Sequence, residues 1–191
     1  MNPESLRQFF AIATRLKTLP RTGWVHNHIQ NPEAVSSHCW RTALMAMILC
    51  PSGVNKDHCV KMGLIHDLAE SVIGDLTPSQ IPDPAAKSQA EQKAFAEMCS
   101  LLPKENGDEL LNLFVEYETA ATPESKFVHE LDKLEMCCQA SEYEDAQHRR
   151  LDTFYNSTIA SGVITSPDGS ALMQHLLERR GPSAPAQDPA L

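Results

Sequence analysis

Apolar side chains recur every three or four residues along most of this 191-residue chain, which is the spacing of one face of an α-helix. No alternating strand pattern, internal repeat or glycine-rich phosphate loop is present. The apolar pattern and its proline and glycine boundaries predict helices over residues 3–19, 32–50, 56–73, about 94–102, 110–117, 123–144, 153–159 and 170–178. We therefore expect an all-α fold: one compact helical bundle over residues 1–180, followed by a proline-rich disordered tail over 181–191.

Two segments between these helices are predicted to be loops. Residues 21–31 mix polar side chains with Gly23, and residues 75–84 contain three prolines. Proline removes a backbone hydrogen-bond donor and glycine adds conformational freedom, so both residues interrupt helices. We expect these two segments to be irregular.

The net charge limits the classes of partner. Lys and Arg number 16 against 25 Asp and Glu, which gives a formal net charge of −9. An acidic chain lacks the positive surface that attracts nucleic-acid phosphates, and no polybasic segment is present to dock on an anionic membrane. The longest apolar run, Ala43–Cys50, is much shorter than the roughly 18 residues of a membrane span. We therefore expect no nucleic-acid partner and no membrane partner.

The six cysteines favour a reducing compartment. They include no CxxC pair, and the amino terminus has no apolar signal segment, so buried free thiols are expected rather than a disulfide framework. This predicts a cytoplasmic protein. Four basic residues against one acidic residue near the amino terminus leave organellar import open; the basic residues are Arg7, Arg15, Lys17 and Arg21.

Four polar side chains interrupt predicted core-facing stretches: His38, His66, Asp67 and Asp132. Burying such groups without partners costs several kcal/mol for the charged ones, and one cation could satisfy all four. Two imidazoles and two carboxylates suit Mn²⁺, Co²⁺, Fe²⁺, Mg²⁺ or Zn²⁺. An octahedral ion would keep two positions open for water and a phosphate oxygen. Each histidine alone is more often a hydrogen-bonded core residue, and His129 is a rival ligand three residues before Asp132.

Two further carboxylates lie close to these residues in the sequence. Glu70 follows His66 by one helical turn, and Asp75 comes directly after Gly74, where the helix is predicted to end. One carboxylate could orient or deprotonate a water while the other protonates a leaving oxygen. Alternatively, Glu70 is a solvated helix residue and Asp75 a turn residue.

The order of these residues resembles the H…HD…D signature of the HD-domain metal-dependent phosphohydrolases. Three longer segments resemble the HD-domain 5′-deoxynucleotidases, which remove phosphate from deoxynucleoside 5′-monophosphates. These segments are PEAVSSHCWRTALMA, GLIHDLAESVIGDLTP and ESKFVHELDKLEM. The resemblance runs from Leu6 to Tyr155, which is most of the chain.

The resemblance implies roles for individual residues. The implied metal ligands are His38, His66, Asp67 and Asp132. Glu70 and Asp75 match the family's catalytic carboxylates, and Arg21 and Trp24 match residues placed against the phosphate and the sugar. An apolar ring on the sugar would leave a ribose 2′-hydroxyl unpaired, which would favour deoxynucleotides. Trp24 could equally be an anchor of the core.

The chain departs from the family at two places. Ser37 stands directly before the first ligand histidine, where relatives usually have an acidic residue that would orient it. Asn27 and His28 stand where relatives often carry an Arg-Asn pair. Lys126 and Lys133 could supply phosphate contacts instead, although solvated lysines are the commoner situation.

These observations predict a divalent-metal-dependent phosphomonoesterase acting on deoxynucleoside 5′-monophosphates. Two alternatives stay open. The same fold and metal could serve a cyclic-nucleotide phosphodiesterase or a nucleoside-triphosphate hydrolase, because a fold does not determine a reaction. The chain could also be a non-catalytic helical protein that binds metal or nucleotide. The apolar faces of the later helices are compatible with a homodimer, as in relatives, and with core packing.

Overall fold

The computed structural model describes residues 2–77, 80 and 84–180, and within them the protein is all-helical. An isolated bridge joins Pro20 to Ala34, and no β-strand forms in the described part of the chain. The helices are α1 Pro3–Ala13, α2 Thr22–His26, α3 Val35–Leu49, α4 Lys56–Ile65, α5 Glu70–Ile73, α6 Pro84–Cys99, α7 Lys104–Thr119, α8 Pro123–Gln147, α9 Asp152–Ser161 and α10 Pro167–Arg180. The predicted all-α fold is therefore confirmed.

Side-chain caps explain where several helices begin. The Asn2 side chain accepts the Glu4 N–H at the start of α1, and the Asn55 side chain accepts the His58 N–H at the start of α4. At α8, Thr122 and Ser125 exchange side-chain-to-backbone hydrogen bonds in a capping box. These bonds satisfy N–H groups that have no partner within the helix.

Several predicted boundaries are wrong. The segment 21–31, predicted to be a loop, contains the short helix α2. Helix α3 begins at Val35 rather than at Pro32. Helix α7 begins at Lys104 rather than at Leu110, because polar residues fill its first turns and give no apolar stripe.

The predicted continuous helix over residues 56–73 is also wrong, since it divides into α4 and α5. Residues 66–69 form a tight turn between them, in which Leu68 N–H bonds to the Ile65 carbonyl and Glu70 N–H to the Asp67 carbonyl. These bonds span three residues rather than the four of an α-helix. The turn therefore redirects the chain at the His66–Asp67 pair.

Helix α8 runs through the middle of the molecule, and its buried residues contribute to two core clusters. One cluster joins α8 to Trp24, α9 and α10, and another joins it to α3, α4 and α7. Helices α3 and α4 approach closely at Gly63, where a Cβ atom would lie 3.2 Å from the Ala43 Cα and N atoms. The core thus fixes α3, α4 and α8 relative to one another.

Two sequence predictions fall partly or wholly outside the described residues. The disordered tail over 181–191 lies outside them, as do residues 78–79 and 81–83 of the predicted loop.

No helix in the described ranges is both long enough and apolar enough to cross a membrane. All six cysteines are free thiols.

Candidate active site

The four side chains predicted to bind a metal lie close together in the structure. His38 Nε2 lies 3.2 Å from Asp132 Oδ1 and 3.7 Å from Asp67 Oδ2. His66 Nε2 lies 3.3 Å from Asp67 Oδ2 and 3.3 Å from His38 Nε2. The ligand atoms of His38, His66 and Asp67 thus lie within 4.8 Å of one another, and Asp132 adjoins this group through His38.

Three elements hold these residues in place. His38 lies in the first turns of α3, His66 and Asp67 follow the end of α4, and Asp132 lies in the middle of α8. His38, His66 and Asp132 are buried, while Asp67 is partly exposed to a cavity. Helix α3, which carries His38, and helix α4, which leads to His66, approach closely at Gly63.

The outer ring nitrogens identify which nitrogen of each histidine faces the centre. His66 Nδ1 lies 2.9 Å from the Gly63 carbonyl, and His38 Nδ1 contacts the Glu135 carboxylate. Both partners accept hydrogen bonds, so each Nδ1 carries a proton and each Nε2 faces the centre, where a bound cation would replace any proton on it.

The donor set fits a divalent cation. Two inward lone pairs and two carboxylate oxygens repel one another unless a proton or a cation lies between them. Neighbouring ligands of an octahedral ion with bonds of about 2.1 Å are about 3 Å apart, close to the spacing seen here. A group able to hold a metal is thus present among the described residues, as the three-residue cluster of His38, His66 and Asp67 also shows.

The electrostatics of the cluster reflect this crowding. Burial and the Arg21 charge lower the pKa of His38, but the Glu135 and Asp132 carboxylates outweigh them and raise it to about 9. Burial lowers the pKa of His66. Burial also disfavours ionised Asp132, yet Lys133 and His38 hold its pKa well below the usual value. Asp132 is therefore an anion at neutral pH, as a metal ligand requires.

Glu135 orients His38, and the sequence reasoning did not identify it. Its buried carboxylate contacts His38 Nδ1 and accepts a hydrogen bond from Arg41 Nε at 2.7 Å. Glu135 thus supplies an orienting acid, although the exposed Ser37 stands at the position where relatives usually have one. The sequence alone could have identified Glu135, because Glu135 lies one helical turn after Asp132 on the same face of α8.

Glu70 and Asp75 both line the cavity but differ in their surroundings. Glu70 is buried, and its Oε2 has no hydrogen-bond partner among the residues that the structure describes. Burial together with the Asp67 and Asp75 charges raises the pKa of Glu70 to about 10. Asp75 accepts the Thr22 N–H at 2.6 Å through Oδ2, while its backbone carbonyl accepts the Thr22 hydroxyl. Asp75 thus ties the start of α2 to the segment after α5.

Arg21 and Trp24 also line the cavity. Arg21 Nη1 lies 3.2 Å from Asp67 Oδ2. Trp24 is almost fully buried, donates its indole N–H to Glu33 and packs against Phe154 and Tyr143. Trp24 is therefore both a core anchor and part of the cavity wall.

The remaining candidate residues differ in whether they contact the cluster and whether they line the cavity. Lys133 lines the cavity with Nζ 3.1 Å from Asp132 Oδ2. His129 stacks on Tyr117, and Tyr117 in turn lies against His66, so His129 is separated from the cluster. The residues at the second departure, Asn27 and His28, do not line this cavity of about 670 Å³ within the part of the chain that the structure describes.

The fold and site define a class: a helical protein with a buried histidine–aspartate cluster at the floor of a cavity. The sequence profile of the HD-domain family matches residues 13–167. Because the match covers most of the chain, this protein belongs to the HD-domain family.

The chain is similar to named relatives over nearly its full length. It is 43% identical to 5′-deoxynucleotidase HDDC2 of Homo sapiens over 178 residues, which cover 92% of this chain and 86% of the human protein. It is 39% identical to 5′-deoxynucleotidase hdd1 of Schizosaccharomyces pombe, covering 92% and 90% of the two chains. A crystal structure described as a predicted metal-dependent phosphohydrolase from Magnetospirillum magnetotacticum matches with a TM-score of 0.71 and 26% identity, covering 92% and 91%.

Proposed function

We propose that this protein is a metal-dependent 5′-deoxynucleotidase, which hydrolyses deoxynucleoside 5′-monophosphates to deoxynucleosides and phosphate. The convergence of His38, His66, Asp67 and Asp132 at the floor of a cavity carries the proposal. The names of the human and fission-yeast relatives support this substrate class.

The four converging side chains would hold one divalent ion. Bound there, the ion would act as a Lewis acid toward the phosphoryl group and promote ionisation of the attacking water. Glu135 fixes the His38 ring through Nδ1, and the Gly63 carbonyl fixes the His66 ring in the same way. Both rings are thereby held with Nε2 inward before any ligand arrives.

Two cationic side chains at the edge of the cluster would bind the phosphate. Arg21 lies directly before α2 and Lys133 lies on α8, and both contact a carboxylate of the cluster. Because each lies beside an aspartate, its charge stays within reach of an anion that docks at the same centre. These contacts would orient the phosphoryl group for attack by water.

Glu70 is the proposed proton-transfer group. Its unpartnered Oε2 is buried at the cavity wall, so nothing competes for its proton among the described residues. Asp75 keeps Oδ1 available for a water while Oδ2 is held by Thr22. The pair can exchange a proton with water and with the leaving 5′-oxygen.

The aromatic wall offers a reason for a deoxyribose preference. Trp24 and Phe154 have ring centroids 4.3 Å apart beside the cavity, and the indole N–H is already bonded to Glu33. A sugar packed on this wall would find no free indole donor there, so a 2′-hydroxyl would be desolvated without compensation.

Phosphate release from a substrate panel tests the proposal. With Mn²⁺ or Co²⁺ added, the wild type is expected to hydrolyse dAMP, dGMP, dCMP, dTMP and dUMP, and to act much less on ribonucleotides, cAMP or dATP. Asp67→Ala is expected to lose activity, whereas Asp57→Ala, an exposed aspartate on α4, keeps it. Full activity in Asp67→Ala, or product formed mainly from cAMP or dATP, would contradict the assignment.

We also propose that two copies associate through the outer face of α3. Trp40, Leu44, Met47 and Ile48 recur at helical spacing on that face, and Trp40 and Ile48 are 60% and 71% exposed. A row of exposed apolar side chains along one face of a helix is typical of a protein interface. A second copy of the chain supplies a matching stripe by symmetry.

A further inference from the structure

A second cavity adjoins the active-site cavity and has no role in the mechanism above. It measures about 360 Å³ and shares His129, Lys133 and Ser161 with the active-site cavity. The rest of its lining comes from the turn after α7, from α8, and from the linker between α9 and α10; these residues are Ala120, Lys126, Val163 and Thr165. We call it the side pocket.

A buried carboxylate fixes one wall of the side pocket. Glu130 of α8 is 1% exposed and accepts hydrogen bonds from the backbone N–H and hydroxyl groups of Thr165 and Ser166. These bonds hold the linker that carries Val163 against α8. The wall is therefore preorganised, since a buried carboxylate with several donors is costly to displace.

A ring stack fixes His129, another residue that lines the side pocket. The His129 and Tyr117 rings lie 3.9 Å apart at an interplanar angle of 17°. His129 Nε2 also lies 2.8 Å from the Tyr117 carbonyl, which can only accept a hydrogen bond. His129 therefore donates through Nε2 and has a settled orientation at the opening between the two cavities.

The side pocket combines apolar lining residues with a lysine at its edge. Ala120 and Val163 give it an apolar interior, while the exposed Lys126 lies at its edge. Lys133 is paired with Asp132, but no carboxylate lies within ion-pair distance of Lys126 among the residues that the structure describes. A planar apolar group with hydrogen-bond acceptors on its edge matches this combination.

The position of the side pocket matches one part of the substrate. Lys133 and Lys126 are two turns apart on α8, a distance of about 10 Å, which is the scale of an extended nucleoside 5′-monophosphate. A phosphate beside Lys133 would leave the other end of the nucleotide near Lys126. Every common nucleobase offers acceptor atoms at its edge, so a single lysine can serve several bases.

We propose that the side pocket is the nucleobase subsite of this enzyme. The base would enter past His129, Lys133 and Ser161, lie between the apolar residues, and accept a hydrogen bond from Lys126 Nζ. This assignment rests on the proposed 5′-deoxynucleotidase activity and specifies which part of the molecule recognises the base.

A comparison of substrates with and without a base tests the assignment. We would measure kcat/KM of the Mn²⁺-loaded enzyme for dGMP and for 2-deoxyribose 5-phosphate, which has the same phosphate and sugar but no base. Val163→Trp fills the side pocket. It is expected to lower the ratio of kcat/KM for dGMP to kcat/KM for 2-deoxyribose 5-phosphate about tenfold or more. The matched control Ile159→Trp adds the same ring on the exposed face of α9, outside both cavities, and leaves the ratio unchanged.

Lys126→Ala provides a second test in case the larger substitution impairs folding. Lys126 is exposed, and its removal is expected to lower the same ratio about threefold to tenfold by deleting one hydrogen bond to the base. An unchanged ratio in Lys126→Ala and in folded Val163→Trp would overturn the base subsite but not the activity. A wild type that hydrolyses neither substrate would contradict the proposed activity and this assignment with it.

Discussion

At the residue scale, each histidine of the cluster uses its two ring nitrogens differently. His38 Nε2 faces the centre while its Nδ1 contacts Glu135. His66 Nε2 also faces the centre, and its Nδ1 contacts the Gly63 carbonyl. The outer contact fixes the tautomer and the ring orientation. The residues beyond the four candidate ligands therefore decide how well those ligands bind.

Glu135→Gln tests this role of the outer contact. The amide keeps the size of the side chain but removes the negative charge beside His38 Nδ1, so we expect metal affinity to fall about 10- to 100-fold. Calorimetric titration with Mn²⁺ would measure the change. Glu142→Gln is the matched control, because Glu142 contacts the same Arg41 from an exposed position. Equal affinities in the two variants would show that Glu135 does not orient the ligand.

Glu70→Gln separates proton transfer from metal binding. The glutamine amide is neither an acid nor a base near neutral pH, so kcat on dGMP is expected to fall at least about 100-fold. Because Glu70 is not among the converging ligand atoms, metal content by mass spectrometry is expected to match the wild type. A variant that retains its kcat would exclude Glu70 as the proton-transfer group.

At the element scale, the turn between α4 and α5 places the His66–Asp67 pair. The sequence shows an apolar pattern over residues 56–73 that fits one helix, because periods of 3.0 and 3.6 residues cannot be told apart over four positions. The structure breaks the helix at 66–69. His66 and Asp67 were nevertheless identified, since polar residues in an apolar stretch are visible whatever the exact backbone.

Gly63→Ala tests whether the crossing of α3 and α4 sets the site. Alanine favours a helix by up to about 1 kcal/mol over glycine. Here its Cβ would lie 3.2 Å from backbone atoms of Ala43, and such overpacking costs about 1–3 kcal/mol. We expect net destabilisation by urea unfolding and weaker metal binding, since α3 carries His38 and α4 leads to His66.

Lys61→Ala on the exposed side of α4 is the control for that variant. It is expected to change stability by less than about 0.5 kcal/mol. The contrary result is a Gly63→Ala protein that is as stable as the wild type and binds metal with unchanged affinity. It would show that the close crossing of α3 and α4 at Gly63 does not set the site.

At the scale of the whole molecule, helices from distant parts of the chain meet at one cluster and one cavity. The all-α fold was predictable from the apolar periodicity, and polar residues in apolar stretches marked the four candidate ligands. The family was predictable because the H…HD…D signature and three longer segments resemble known members. Glu135, Arg41 and Glu130 were not identified, because a charged residue in a long helix usually faces solvent. Their burial depends on which helices pack together.

The outer face of α3 gives a prediction at the same scale. If two copies associate there, the wild type is expected to elute as a dimer in size-exclusion chromatography with light scattering at micromolar concentration. The double variant Trp40→Glu, Ile48→Glu would place charges in the interface and is expected to be monomeric. Phe10→Glu, an exposed apolar residue of α1, is the control and keeps the dimer. A monomeric wild type would contradict the dimer.

The central claim is that one divalent ion is held between α3, α4 and α8 with room beside it for a phosphate. An anomalous-difference map from crystals grown with Mn²⁺ tests this most directly. We expect one peak within about 2.3 Å of His38 Nε2, His66 Nε2, Asp67 and Asp132. A map without a peak there, with the four side chains bonded only to one another, would contradict the account.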